Sequence, residues 1–112
     1  MSGEALACAE LQRRGYATLE RRYRTRAGEI DIVARDRGTV VFVEVKTRMD
    51  RAFGGAAVAV TAWKQRRVVH LALDYLSRHG LHECPCRFDV VAIDFDEGAP
   101  LVTVYPNAFD AA

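Results

Sequence analysis

Four charged side chains, Glu29, Asp31, Glu44 and Lys46, interrupt two otherwise apolar segments in the stretch GEIDIVARDRGTVVFVEVKTR. The apolar runs flank Asp-Arg-Gly, a turn sequence, and read as the two strands of a hairpin. A loop of the two residues Arg37 and Gly38, or of the four from Asp36 to Thr39, sets Asp31 opposite Glu44 and Glu29 opposite Lys46. Side chains alternate along a strand, so the four charges share one face while Ile30, Ile32, Ala34, Val41, Val43 and Val45 share the other. Val33, Val40 and Phe42 also fall on the charged side, nearer the turn, which leaves the charges gathered at one end of a half-buried face. Two carboxylates with Cβ atoms about 5 Å apart repel unless a cation lies between them. A divalent metal removes that conflict. A three-residue loop would send Asp31 and Glu44 to opposite faces, so the metal reading depends on the turn.

Hard oxygen donors suit magnesium, with manganese as a substitute, because that ion takes one or two carboxylates from a protein and keeps water or phosphate oxygens in its other positions. Such a site suits phosphodiester chemistry, in which the metal lowers the pKa of a bound water and stabilises charge on phosphorus. The Lys46 ammonium, on the same face two residues beyond Glu44, is placed to orient the water or stabilise developing negative charge. The plainer alternative pairs Glu29 with Lys46 and Asp31 with an arginine in a solvated sheet end. It accounts for one carboxylate easily and for three poorly.

The elements that must position these groups follow from periodicity. Ser2 to about Arg14 reads as a helix capped by Ser2 and ended by Gly15, with Glu4, Ala7, Cys8 and Leu11 on one stripe. A weaker strand spans Ala17 to Arg24, ahead of the hairpin strands Glu29–Arg35 and Thr39–Thr47. Thr61 to about His79 reads as a longer helix with Val68, Val69, Ala72, Tyr75 and Leu76 at helical spacing. Arg87–Phe95 and Leu101–Pro106 are two further strands. A long helix between the strands ending near Thr47 and starting near Arg87 implies a right-handed crossover between parallel neighbours, hence an α/β fold with a mixed sheet.

The chain has 112 residues, half of them apolar, with a formal net charge of +1, which fits one domain spanning residues 1–112 around one core. Arg21, Arg22, Arg24 and Arg26, and Lys64, Arg66 and Arg67, concentrate positive charge locally; they read as a solvated face or as a phosphate-binding surface. Cys8, Cys84 and Cys86 form an odd set without zinc spacing and read as reduced thiols of a cytoplasmic protein. No apolar run approaches the length needed to cross a bilayer, and the N-terminus lacks the pattern of a secretory signal.

Asp31 followed on the next strand by Glu44-Val45-Lys46 resembles the Asp…Glu-x-Lys signature of the PD-(D/E)xK nuclease superfamily, whose fold is restriction-endonuclease-like. The strings GEALACAELQRRGY, GEIDIVARD, VFVEVKTR, Phe53-Gly54, Lys64, RFDVVAID and the late NAF resemble the YraN family of small bacterial proteins over nearly the whole chain. The resemblance implies a mixed sheet flanked by helices, akin to Holliday-junction resolvases, and a nuclease-like site. It implies that Glu4, Asp31 and Glu44 bind metal with the main-chain carbonyl of Val45, and that Lys46 is the catalytic lysine. The proline of the superfamily label is absent, since Ala27-Gly28-Glu29 precedes Ile30-Asp31; Glu29 is left unassigned.

Arg48, Lys64, Gln65 and Arg67 are candidate phosphate contacts, the last three near the start of the long helix, where free N–H groups favour anions. Gly54 and Gly55 make the connector from Thr47 to Val60 either a loop able to move over substrate or a plain link. His70, His79 and His82 make no zinc cluster with the cysteines, Trp63 and Tyr75 read as packing residues in preference to base-stacking platforms, and Asp89 reads as structural, with a supporting role at the site open from its place at a strand start. The expectation is a magnesium-dependent nuclease acting on DNA, with branched DNA as a candidate substrate and a homodimer compatible with reaching two strands. A binding module that keeps the fold without turnover is the alternative.

Overall fold

The computed structural model describes residues 2–48, 60–95 and 98–110. Helix α1 (Gly3–Arg13) precedes strands β1 (Ala17–Thr25), β2 (Gly28–Asp36) and β3 (Thr39–Arg48); helix α2 (Ala62–Arg78) precedes β4 (Cys86–Asp94) and β5 (Leu101–Phe109). The strands form one five-stranded sheet in the order β1-β2-β3-β4-β5. Only β3 and β4 are parallel, as a helix-containing crossover requires. This is the mixed α/β arrangement expected from the sequence, and it is compatible with a restriction-endonuclease-like fold.

Helix starts follow their caps. The Ser2 hydroxyl accepts from the Ala5 N–H at 3.1 Å and the Thr61 hydroxyl from the Lys64 N–H at 3.1 Å, each satisfying an otherwise unpaired first-turn donor. Alternation along the central strands divides the core in two. Val41 and Val43 join Ala7, Cys8 and Leu11 of α1 on one face. Val40 and Phe42 join Val68, Leu71, Ala72, Tyr75 and Leu76 of α2 on the other. Tyr75 is therefore a packing residue, its ring edge-on to both Tyr23 and Phe42. The cysteines are free thiols, and no described helix is long and apolar enough to cross a membrane.

At the end of the sheet near the β2–β3 turn, Asp89 is fully buried and held from three sides. Its carboxylate accepts from the Tyr16 hydroxyl at 3.2 Å, from Arg87 Nε at 3.0 Å and from the Asn107 N–H at 3.1 Å. Arg87 also reaches Asp36 at 3.0 Å, so one guanidinium ties β2 to β4 and, through Asp89, to β5. Asp89 is structural, as expected. Removing Arg87 would leave a buried carboxylate short of its countercharge, so Arg87→Ala should lower stability in urea unfolding by about 3–5 kcal/mol. Tyr16→Phe should cost about 1 kcal/mol; a loss for Arg87→Ala no larger than that would show that Asp89 does not need its cation.

Candidate functional site

The hairpin has the two-residue turn, with Asp36 paired to Thr39 and regular pairing back to Ile32↔Val43. There the β2–β3 ladder ends. The expected pairs Asp31/Glu44 and Glu29/Lys46 lie beyond it, where β1 and β2 both change face. On β1, Arg22 takes φ 55: Arg21 and Arg22 both reach Glu4 on α1, whereas the next residue, Tyr23, packs on the α2 side. On β2 the change falls at Asp31, since Ile32 lies in the α1-side core while Ile30, expected beside it, lies in the α2-side core. Where the ladder stops, Asp31 Oδ2 accepts the Val45 N–H at 2.8 Å. A side-chain oxygen thus takes the place of a backbone acceptor.

Beside this break is a cleft of about 420 Å³ lined by Glu29, Asp31, Glu44, Trp63, Lys64, Arg67 and Val68. Glu44 is only 3% exposed. Its Oε2 lies 3.2 Å from Lys64 Nζ, while its Oε1 is buried without a hydrogen-bond partner. Burial, and then the negative charge of Asp31, push the Glu44 carboxyl up to about 7 against the pull of Lys64 and Lys46. Asp31 is also pushed up, chiefly by burial, with the Val45 N–H opposing. Two carboxylates in one low-dielectric cleft are each hard to ionise without an added cation.

A hard divalent ion fits this donor set, because Glu44 Oε1 is a buried oxygen lacking any donor and Asp31 is close enough for its charge to act on Glu44. The third expected carboxylate, Glu4, holds Arg21 Nε at 3.0 Å and Arg22 Nε at 3.1 Å, and its negative charge also acts on Asp31. No group of three His, Cys, Asp or Glu side chains placed to hold a metal occurs among the described residues. Among the described residues Asp31 and Glu44 are the carboxylates here without an arginine partner, and two such ligands suit magnesium retaining water.

The other expected site residues separate into three groups. Lys46 is half-buried on β3 and its charge favours the ionised form of Glu44, but among the described residues the ammonium in ion-pair contact with Glu44 is Lys64. Lys64 is thus part of the acidic site as well as a candidate phosphate contact. Gln65 turns back to donate to the Val60 carbonyl at 2.8 Å. Arg67 lines the cleft and donates to the Ala27 carbonyl at 2.6 Å. Its guanidinium fills the space over Gly28, where φ is 146 and a Cβ would come within 2.5 Å of Arg67 Nε. Glu29 pairs with Arg24 across β1 at 3.1 Å instead of with Lys46. The backbone of Arg48 pairs with Asp94; its side chain, and the connector bearing Gly54 and Gly55, lie outside the described residues.

Trp63, expected to pack, is 61% exposed at the cleft rim, with the Arg67 guanidinium 5.1 Å from its ring. A signal for this was present. At about 100° per residue, Trp63 falls about 140° from Val68 around the helix, off the buried stripe.

The fold and site together define a small mixed-sheet α/β protein with an acidic cleft where the central hairpin opens. Comparison with known proteins supplies the family. The model described as uncharacterised protein family UPF0102 matches residues 3–93, and the chain belongs to that family. It is 48% identical over 112 residues to a UPF0102 protein of Trichlorobacter lovleyi, covering 98% of this chain and 88% of the relative. It is 50% identical over 108 residues to one of Anaeromyxobacter dehalogenans, covering 96% and 81%. A Symbiobacterium thermophilum relative, UPF0102 protein STH1475, is 47% identical over 111 residues, covering 98% and 94%. These matches support the family membership read from the motif strings.

The raised Glu44 carboxyl has a definite signature in stability. Between its ordinary value of 4.5 and about 7 the folded state holds the extra proton, so this group's contribution is full below 4.5 and is lost as pH rises through 7. Glu44→Gln should remove that loss. In metal-free urea unfolding the variant should gain on the wild type between pH 5 and pH 8 by up to about 3 kcal/mol. A constant difference across that range would show that Glu44 titrates normally.

Proposed function

We propose that this protein is a metal-dependent nuclease that hydrolyses DNA phosphodiesters. The observation that carries the reading is Glu44, a buried carboxylate with one orphaned oxygen beside Asp31 and under the fields of Lys46 and Lys64. Maintaining two partly neutralised acids in a cleft costs stability, and a binding surface for phosphate gains nothing from them. Asp31 and Glu44 would hold magnesium or manganese, with the Val45 carbonyl as a further donor. The bound ion would supply Lewis acidity toward a phosphoryl oxygen and a more acidic water.

The chain's own groups do the rest. The Val45 N–H holds Asp31 in place, so that carboxylate stays aimed without reorganising. Lys46 orients the attacking water and offsets the charge that gathers on phosphorus. Lys64, on the first turn of α2, exchanges its contact with Glu44 for a phosphate oxygen when substrate enters, and Arg67 steadies the neighbouring backbone. The proposal places the protein in the cytoplasm, and leaves branched DNA and a homodimer as its fuller form.

One observation favours the second reading, a nucleic-acid-binding module without turnover: Lys64 already occupies one oxygen of Glu44. Two measurements separate the readings. Cleavage of branched, flapped and single-stranded DNA should require magnesium or manganese and fall at least about a hundredfold in Asp31→Ala and Lys46→Ala. Equal activity in all three preparations would mark a contaminant and end the catalytic assignment. Manganese should also raise the melting temperature of the wild type and leave that of Glu44→Gln unmoved; salt-sensitive binding without cleavage or a metal-induced shift would establish the binding module.

A further inference from the structure

The cleft does not end at its rim. A second concavity shares Trp63 and Arg67 with it, and a third shares Ala27 and His70 with the second before passing Arg24, Arg26 and Arg78. The three make one groove that leaves the acidic site, crosses the Trp63 ring and follows the β1–β2 turn along α2. Beyond the cleft, among the described residues, arginines outnumber its one lining acid, Asp74. Arg24 and Arg78 have carboxylate partners in Glu29 and Asp74, but Arg26, Arg66 and Arg67 have none among the described residues. The large, mostly exposed ring of Trp63 lines both the acidic cleft and the second concavity, with Arg67 against it and also bonded to the Ala27 carbonyl, and Lys64, bound to Glu44, fixes its place.

We propose that this groove takes an unpaired DNA strand, with a base stacked on Trp63 next to the phosphate in the acidic cleft. An aromatic face among guanidiniums without carboxylate partners matches the two features of single-stranded nucleic acid, exposed base faces and closely spaced phosphates. In a duplex the base faces are covered by neighbouring pairs. An apolar protein partner would leave three cations buried without countercharges. The proposal rests on the nuclease reading for what happens in the cleft, while the groove itself depends only on Trp63 and the arginines.

The chain has a single tryptophan, so Trp63 fluorescence reports directly on stacking. In EDTA, an oligothymidine of about 15 nucleotides should quench it and a duplex of equal length should leave it nearly unchanged. By anisotropy, Trp63→Ala should weaken oligothymidine binding about 5- to 100-fold and Trp63→Phe should restore most of it. Arg66→Ala should lower the slope of log affinity against log salt by about 0.7. Unchanged affinity in Trp63→Ala, or equal quenching by duplex, overturns the groove even if the protein cleaves DNA. Quenching and its loss in the variants, in a protein that cleaves nothing with magnesium or manganese, supports the groove and removes only the nuclease reading.

Discussion

The site depends on one hydrogen bond, from the Val45 N–H to the carboxylate of Asp31. A sheet cannot end a ladder in its interior without leaving donors and acceptors unpaired, and each such group costs free energy comparable to a lost hydrogen bond. Asp31 closes that gap with a side chain. The strands can then part beyond Ile32 and Val43, and the parting opens the cleft. The carboxylate that ends the pairing is thereby the same one that lines the opening.

Everything charged nearby adjusts to this arrangement. Glu44, next to the break and almost without solvent, cannot ionise freely beside Asp31. Its ion pair with Lys64 crosses from β3 to α2, and three residues on, Arg67 fastens the same helix to the β1–β2 turn through the Ala27 carbonyl. Gly28 keeps the space that this guanidinium needs. The start of α2 is therefore held at two points, one in the acidic cleft and one outside it. This is why Trp63, in the same first turn, has a fixed place at the rim.

Much of this was legible in the sequence. Turn chemistry at Arg37-Gly38 placed the hairpin but left its register to the loop length, which the two-residue turn decides, and the spacing Val68, Ala72, Tyr75 and Leu76 gave the buried face of α2. Alternation failed at Ile30 because it is a rule for regular strands, and the change of face belongs to a pair of strands. It is set by Arg22 at positive φ on β1 and answered at Asp31 on β2, and neither residue type announces it. The same kink lets consecutive arginines reach Glu4, which a regular strand forbids, so its helical stripe gave no sign of these two partners. Asp89, by contrast, was readable as structural but not as the hub of three strands, because its partners lie far apart in the chain.

The ion pairs described above follow a chemical division. Glu4, Glu29, Asp74 and Asp89 are each met by arginine, whose planar fork fixes geometry and stays charged under all ordinary conditions. Glu44 is met by lysine. An ammonium is a compact, strongly hydrated point charge on a flexible stem, so it can leave a carboxylate without dismantling a set of directional bonds. The architecture is secured by contacts that are slow to give up, and the one buried acid in the cleft is held by a contact suited to exchange.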